Sequence, residues 1–365
     1  MKFVRTEDLK EGMRLAHPIY SKTGVLLYER NSKLSSQGIE SVKNFGLLGI
    51  YVLEPAEPLP PMSEENIEFE RFQTMTIASL SEELKKLFTQ RKKGKLSFLA
   101  DNLLRLYGHL DEKITFYQNL RSRDDFVYCH SLNVAILCAM ITHKLNLRRE
   151  EQLSVVCSAL VHDIGKLGLT GPNAALAYSD DLDEDDRMLV YQAQLSAGDI
   201  LEEAFAEDPN VKRSCMQVIR RELDLYRGQE GERMKMVTGA RILLVANQYD
   251  KMTAMSLSGN IQSEVRAIQE FLNHPEIYDP EVVDALIASV NILFSGVSVE
   301  LSTGEKALVL TENPRNILMP TVLCFRDNSI VDLSLPENGD IQIVDIMKTM
   351  DNRYIMNTEA IIPQE

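Results

Sequence analysis

The sequence is short of positive charge. Against 39 lysines and arginines stand 54 aspartates and glutamates, a net charge of -15. That balance argues against a nucleic-acid backbone or an anionic membrane as the main partner, but leaves room for a small phosphorylated ligand in a locally basic pocket. Cysteine is sparse and unpatterned. Cys129, Cys138, Cys157, Cys215 and Cys324 are odd in number, show no CxxC spacing and sit mostly in apolar runs. They read as reduced core residues of a cytoplasmic protein rather than as a disulfide framework or a thiolate metal site. A leader segment is not expected, because Met1-Lys2-Phe3-Val4 runs at once into charged sequence. The longest apolar stretch, near 282–299, is broken by Asp284 and Asn291 and is expected not to span a membrane.

What is present is ordinary globular composition over 365 residues, with 44% hydrophobic and 25% charged residues. That length suggests two or three compact units. Residues 1–55 alternate short apolar runs with turns, and Ser35 to Phe45 reads as a helix closed by Gly46, predicting a small α+β domain. Four prolines (Pro55, Pro58, Pro60, Pro61) make a stiff linker, so residues 56–115 read as linker and helical segment. Helical periodicity then predicts helices near 116–127, 130–145, 148–163, 184–205, 210–226, 237–255, 261–273 and 280–293, a core over 116–296. The basic run 90–95 reads as a solvated turn, and the acidic run 180–186 as carboxylates complementing a helix start. From Val297 the period changes to two, predicting a small β extension over 297–335 with a hairpin turn at Ser302-Thr303-Gly304-Glu305. The segment 336–365 is left with a helix near 341–350. The fold class is therefore mainly α: a helical core with an N-terminal α+β domain and a C-terminal β-rich extension.

The chemistry concentrates at His162-Asp163-Ile164-Gly165-Lys166. Leu153, Val156, Cys157, Leu160 and Val161 repeat at helical spacing and deliver His162 and Asp163 to a helix end. His130 opens a neighbouring segment that is apolar on nearly every side. Two imidazoles and a carboxylate brought together from two helices can hold one divalent ion. Water polarised on such an ion could attack phosphorus, and Lys166 could neutralise a phosphate oxygen. The plainer alternative is a helix-end His-Asp pair satisfied by local hydrogen bonds.

These residues, with Ala197-Gly198-Asp199-Ile200-Leu201, the run 239–250 and the segment Tyr278 to Val283, resemble the HD superfamily of metal-dependent phosphohydrolases. The resemblance covers about 130–296 and narrows to the HD-GYP branch, the bacterial cyclic di-GMP phosphodiesterases. It implies a helical core and metal ligation by His130, His162 and Asp163, with Asp163 and Lys166 in catalytic positions. The sequence departs from that branch at four places. Gln194 stands where the family has histidine, and Arg220-Arg221-Glu222 stands on its His-His-Glu signature. Gly228-Gln229-Glu230 replaces Gly-Tyr-Pro, and Asn247 takes the place of the closing aspartate. Arginine offers no lone pair to a cation, and an amide oxygen brings no charge. The expectation is at most one divalent ion (iron, manganese or similar) on His130, His162, Asp163 and Asn247, or none. Lys166, Gln194, Arg220 and Arg221 become candidates for ligand binding. The function expected is a bacterial signalling protein with a degenerate site, non-catalytic, binding a cyclic di-GMP-like nucleotide or a protein partner. The alternatives are a reduced single-metal phosphohydrolase and a structural scaffold, and oligomerisation is left open.

Overall fold

The computed structural model describes residues 2–53, 64–116, 118–179, 181–228, 235–255 and 261–347. The proline linker, Gln229, Glu230 and the tail from residue 348 lie outside these.

The N-terminal unit builds a three-stranded antiparallel sheet in the order β1-β5-β2 from β1 (Lys2–Arg5), β2 (Arg14–Leu15) and β5 (Gly49–Leu53). A short β3–β4 ribbon (Ile19–Tyr20, Leu26–Tyr28) and helix α1 (Ser36–Asn44) complete it. Ser35 caps α1 by accepting the Gly38 amide at 3.1 Å, and Gly46 leaves the helix at φ +67°, which glycine adopts without strain. Its apolar residues, among them Leu15, Val42 and Ile50, form a cluster of their own.

The helical core begins with α2 (Glu64–Gln90) and α3 (Leu96–Tyr107), followed by α4 (Phe126–Lys144), α5 (Arg149–Val161), α6 (Glu184–Ser196), α7 (Gly198–Ala204), α8 (Pro209–Tyr226), α9 (Thr238–Thr253), α10 (Glu264–Asn273) and α11 (Pro280–Ile287). Among the described residues α4 is the one helix long and apolar enough to cross a membrane, and 89% of that stretch is buried inside the fold. Its apolar surface on every side is explained by its neighbours: α2, α3, α5, α9 and α11 all pack on it.

Several boundaries differ from the periodicity, among them the end of α11 at Ile287 rather than 293. The segment 116–127 is an irregular strap until Phe126, where α4 begins, so His130 lies one turn inside α4. The backbone here bonds outward: just ahead of the strap Ile114 pairs with Ser289 and Asn291, and within it the Arg121 carbonyl accepts the Leu48 amide at 2.9 Å. Distant partners thus take groups that a helix would pair internally. The helix expected over 184–205 is two, α6 and α7, meeting at Ala197.

The C-terminal residues form an antiparallel sheet, order β10-β6-β7-β8-β9, from β6 (Ser298–Leu301), β7 (Lys306–Thr311), β8 (Thr321–Cys324), β9 (Ile330–Asp332) and β10 (Ile343–Ile346). Gly304 at φ +78° makes the turn between β6 and β7. The helix expected near 341–350 is corrected: its described part is strand β10, with Ile343 opposite Leu301. Alternating Ile341, Ile343 and Asp345 suit a strand one face of which is buried. Val299, Leu301, Ala307, Val309 and Val322 bury into the same apolar cluster as the helices.

Candidate metal and phosphate site

His162 ends α5 and Asp163 leads into a tight 3-10 turn over Ile164–Gly168. Gly165 lets α6 lie directly on this turn, since a Cβ there would sit 2.4 Å from the Ala193 carbonyl oxygen and 2.5 Å from Gln194 Cα. That close approach brings Gln194 onto Asp163. The Gln194 amide donates to Asp163 Oδ1 at 2.5 Å, and Lys166, one turn on, donates to Oδ2 at 2.6 Å.

Helix α4 brings in His130 and α9 brings Asn247. His162 Nε2 lies 3.2 Å from His130 Nε2, which faces Asn247 Oδ1 at 2.9 Å. Asp163 lies 3.7 Å from His130 and 3.8 Å from His162. Both imidazoles are held by their other nitrogen: His162 Nδ1–H donates to the Ala159 carbonyl at 2.8 Å, and His130 Nδ1–H to Asp250 at 2.5 Å. Such outer bonds fix ring orientation, as they do for metal-bound histidines. The amide of Asn247 donates to Glu222 at 2.7 Å, which directs its oxygen inward.

Burial pushes the His162 imidazole down to about 4, so at neutral pH its Nε2 carries a lone pair. Burial alone would raise the Asp163 carboxyl, but the Lys166 ammonium and the two imidazoles outweigh it and hold the group well below the usual range. Asp250 is similar: burial opposes ionisation, yet Arg121 and His130 bring the carboxyl down to about 2.

The donors of His130, His162 and Asp163 lie within 4.8 Å of one another and could hold a metal ion. With Asn247 Oδ1 they offer two imidazoles, one carboxylate and one amide oxygen, a set that fits one divalent ion. The carboxylates nearby are already matched. Lys166 pairs with Asp163 at 2.6 Å, Lys251 with Glu222 at 2.5 Å, and Arg121 with Asp250 at 2.6 Å. In front of the cluster lies a cavity of about 300 Å³, lined among the described residues by Lys166, Arg187, Gln194, Glu222, Lys251 and Arg121, and by Phe126, Tyr178, Tyr191 and Tyr226.

His130, His162, Asp163, Asn247, Lys166 and Gln194 therefore come together. Arg220 and Arg221 do not line the cavity. On α8, Ile219, Glu222, Leu223 and Tyr226 do so, at i, i+3, i+4 and i+7. A helix turns about 100° per residue, which carries Arg220 into solvent and Arg221 into a buried flank beside Tyr278. The reading of these arginines as cavity cations is corrected: Lys251, Arg187 and Arg121 fill that role. Asp250 was within reach of sequence reasoning, three residues after Asn247 on the same helix face. Arg121 carries no such signal, because periodicity predicts a helix over its strap. Gln229 and Glu230, at the place of the Gly-Tyr-Pro motif, lie outside the described residues.

A family model described as HD domain matches residues 114–282. A cyclic di-GMP phosphodiesterase of Pseudomonas aeruginosa is 26% identical over 212 residues, covering 56% of this chain and 49% of the relative. The chain thus spans about half the length of that curated relative. Its similarity and the matched span agree with the helix-end His-Asp pair facing a second buried imidazole. Over residues 114–282 the chain is therefore similar to the HD superfamily.

Proposed function

We propose that this chain is a signalling protein whose HD domain receives a phosphorylated, nucleotide-type ligand and does not turn it over at enzymatic rates. The observation that carries this reading is the charge match: Asp163, Glu222 and Asp250 each have a protein cation, Lys166, Lys251 and Arg121, at 2.6 Å or less. A first ion would already share Asp163 with Lys166, so a second divalent ion would add two charges with no unpaired carboxylate among the described lining residues to meet them, a costly arrangement. An anionic ligand, by contrast, meets Lys166, Lys251 and Arg187 at the cavity wall.

One ion would be held by His130, His162, Asp163 and Asn247, and as a Lewis acid it would polarise a water or a phosphoryl oxygen. The chain's own groups have definite parts. Arg121 and Asp250 fix the His130 ring, Gln194 and Lys166 hold the Asp163 carboxylate, and Lys166 and Lys251 supply positive charge to a phosphate. Phosphoryl transfer across two ions stabilises both the attacking and the leaving oxygen. A site limited to one ion lacks half of that, consistent with a receptor rather than an efficient phosphodiesterase. The five cysteines, all buried and free, accord with a cytoplasmic location.

The second reading, a single-metal phosphohydrolase acting on cyclic di-GMP or a related phosphoester, is favoured by the convergence of His130, His162 and Asp163. Two measurements separate the readings. Metal content after purification without chelator is expected at one ion per chain or below. A manganese-replete assay with cyclic di-GMP is expected to give no measurable product, while calorimetry with nucleotides detects binding. Turnover on the order of 1 per second or more, lost in Asp163→Ala, would establish the hydrolase instead.

A further inference from the structure

A second cavity lies away from the His-Asp cluster, between the N-terminal unit and α2, and shares no described lining residue with the first. Its volume is about 900 Å³, near the upper end of the roughly 300–1,000 Å³ found for ligand pockets. One wall is a single stripe of α2. Glu70, Thr74, Ile77, Ala78, Ser81 and Lys85 are spaced so that all lie on one helix face. The other walls come from residues 17–22, from Asn44 at the end of α1, and from the strap before α4. From Glu70 to Lys85 the stripe runs about 22 Å, at about 1.5 Å of rise per residue. Spread along that length, the volume leaves a mean cross-section of about 40 Å². The space is a long, narrow trough.

Its lining narrows the chemistry of an occupant. Among the described residues two lysines, Lys22 and Lys85, stand against three carboxylates, Glu70, Asp124 and Asp125, and Glu70 is matched by His17 at 2.5 Å. With no surplus of positive charge the trough is a poor receptor for a phosphate. A wholly apolar chain suits it no better, because it would take the Asn44 amide and the Lys85 ammonium out of water without giving either a partner. Apolar Ile19, Leu47, Ile77 and Leu120 stand between these polar groups.

We propose that the trough takes an extended peptide segment of about six residues. A strand in a packed sheet claims roughly 4.8 Å by 10 Å, about 48 Å² in section, and advances roughly 3.3 Å per residue, so both the width and the length agree. Each peptide unit offers one donor and one acceptor, which the hydroxyls of Thr74 and Ser81 and the amide of Asn44 can meet in either sense. Alternate side chains then fall against the apolar positions, and Asp124 and Lys85 supply one charge of each sign to a chain that carries both. The site is independent of the nucleotide reading and stands or falls without it.

The test is affinity selection read by mass spectrometry: the full chain is mixed with a synthetic pool of random hexapeptides, and those that co-elute with it on gel filtration are quantified. The parent is expected to retain at least tenfold more peptide than Ala78→Trp, in which an indole at exposed position 78 fills the trough. Asn44→Trp fills it from α1 and serves as a second variant if the first fails to fold, which urea unfolding reports. A pool of random tripeptides, half the length, is expected to be retained at least tenfold less than the hexapeptides. Excess cyclic di-GMP is expected to leave the retained hexapeptides in place. Absence of retention by the parent, equal retention by the folded variants, equal retention of tripeptides, or displacement by cyclic di-GMP overturns the proposal.

Discussion

Changing Asp250 to Asn removes one charge and almost no volume from the most enclosed ion pair of the site. Arg121 and Asp250 are 1% and 0% exposed, and the guanidinium donates to the carboxylate at 2.6 Å. The same carboxylate accepts His130 Nδ1–H at 2.5 Å and the Asn133 amide at 2.9 Å. With the Asp250 carboxyl brought down to about 2, against about 3.9 in an unfolded chain, ionisation contributes on the order of 2–3 kcal/mol at neutral pH. That contribution is present above about pH 4 and fades as the pH falls towards 2. Removing the charge also leaves the Arg121 guanidinium buried without a counter-ion, for which breaking a buried pair typically costs about 3–5 kcal/mol. Asp250→Asn is therefore expected to lose about 3–5 kcal/mol, read by urea unfolding followed by far-UV circular dichroism. The double variant Arg121→Met/Asp250→Asn, which removes the stranded charge, is expected to recover a large part of the loss. A single-variant loss below about 1 kcal/mol at unchanged m-value would refute the reasoning, since it would mean the pair is solvated or dispensable.

Two other outcomes follow from the site's geometry. Gly165→Ala places a methyl group against the Ala193 carbonyl and Gln194 Cα, so it is expected to cost about 1–3 kcal/mol by overpacking and to weaken nucleotide binding as α6 shifts off the turn; unchanged melting and affinity would show that the turn has slack. His162, pushed down to about 4, disfavours the proton in the folded state, so between roughly pH 6.5 and pH 4 the unfolded chain binds the additional proton and stability falls on acidification, by up to about 3 kcal/mol. Unfolding curves at pH 7, 5.5 and 4.5 in chelator test this, and His162→Gln should flatten the slope.

The sequence could be read wherever one element decides the outcome. His162 and Asp163 are placed by the apolar repeat of α5 itself, and the β6–β7 turn by Gly304 and the alternation around it. Positions that depend on two elements at once escaped. The strap before α4 is expected to be helical, yet its Arg121 carbonyl accepts the distant Leu48 amide, and Ile114 just ahead of it bonds with Ser289 and Asn291. Arg220 and Arg221 were matched to a signature by counting, but the rotation of α8, fixed by Ile219, Leu223 and Tyr226 at the cavity, turns both away. Arg187 carries no signal in the sequence, since its contact with Tyr226 exists only after α6 and α8 pack.

Arg121 belongs to two parts of the molecule at once. Its carbonyl accepts the Leu48 amide from the N-terminal unit, and Leu47 bridges to Ser122 beside it, while its side chain holds Asp250 under His130. Cutting the chain at the proline linker would look harmless on a diagram of separate modules. It would in fact strip one wall from the residue that tensions the His130 ring, so the helical portion alone would be a poor surrogate for the whole. Any graft of this HD domain onto another sensor must carry residues 47–48, or an equivalent strand edge, along with it.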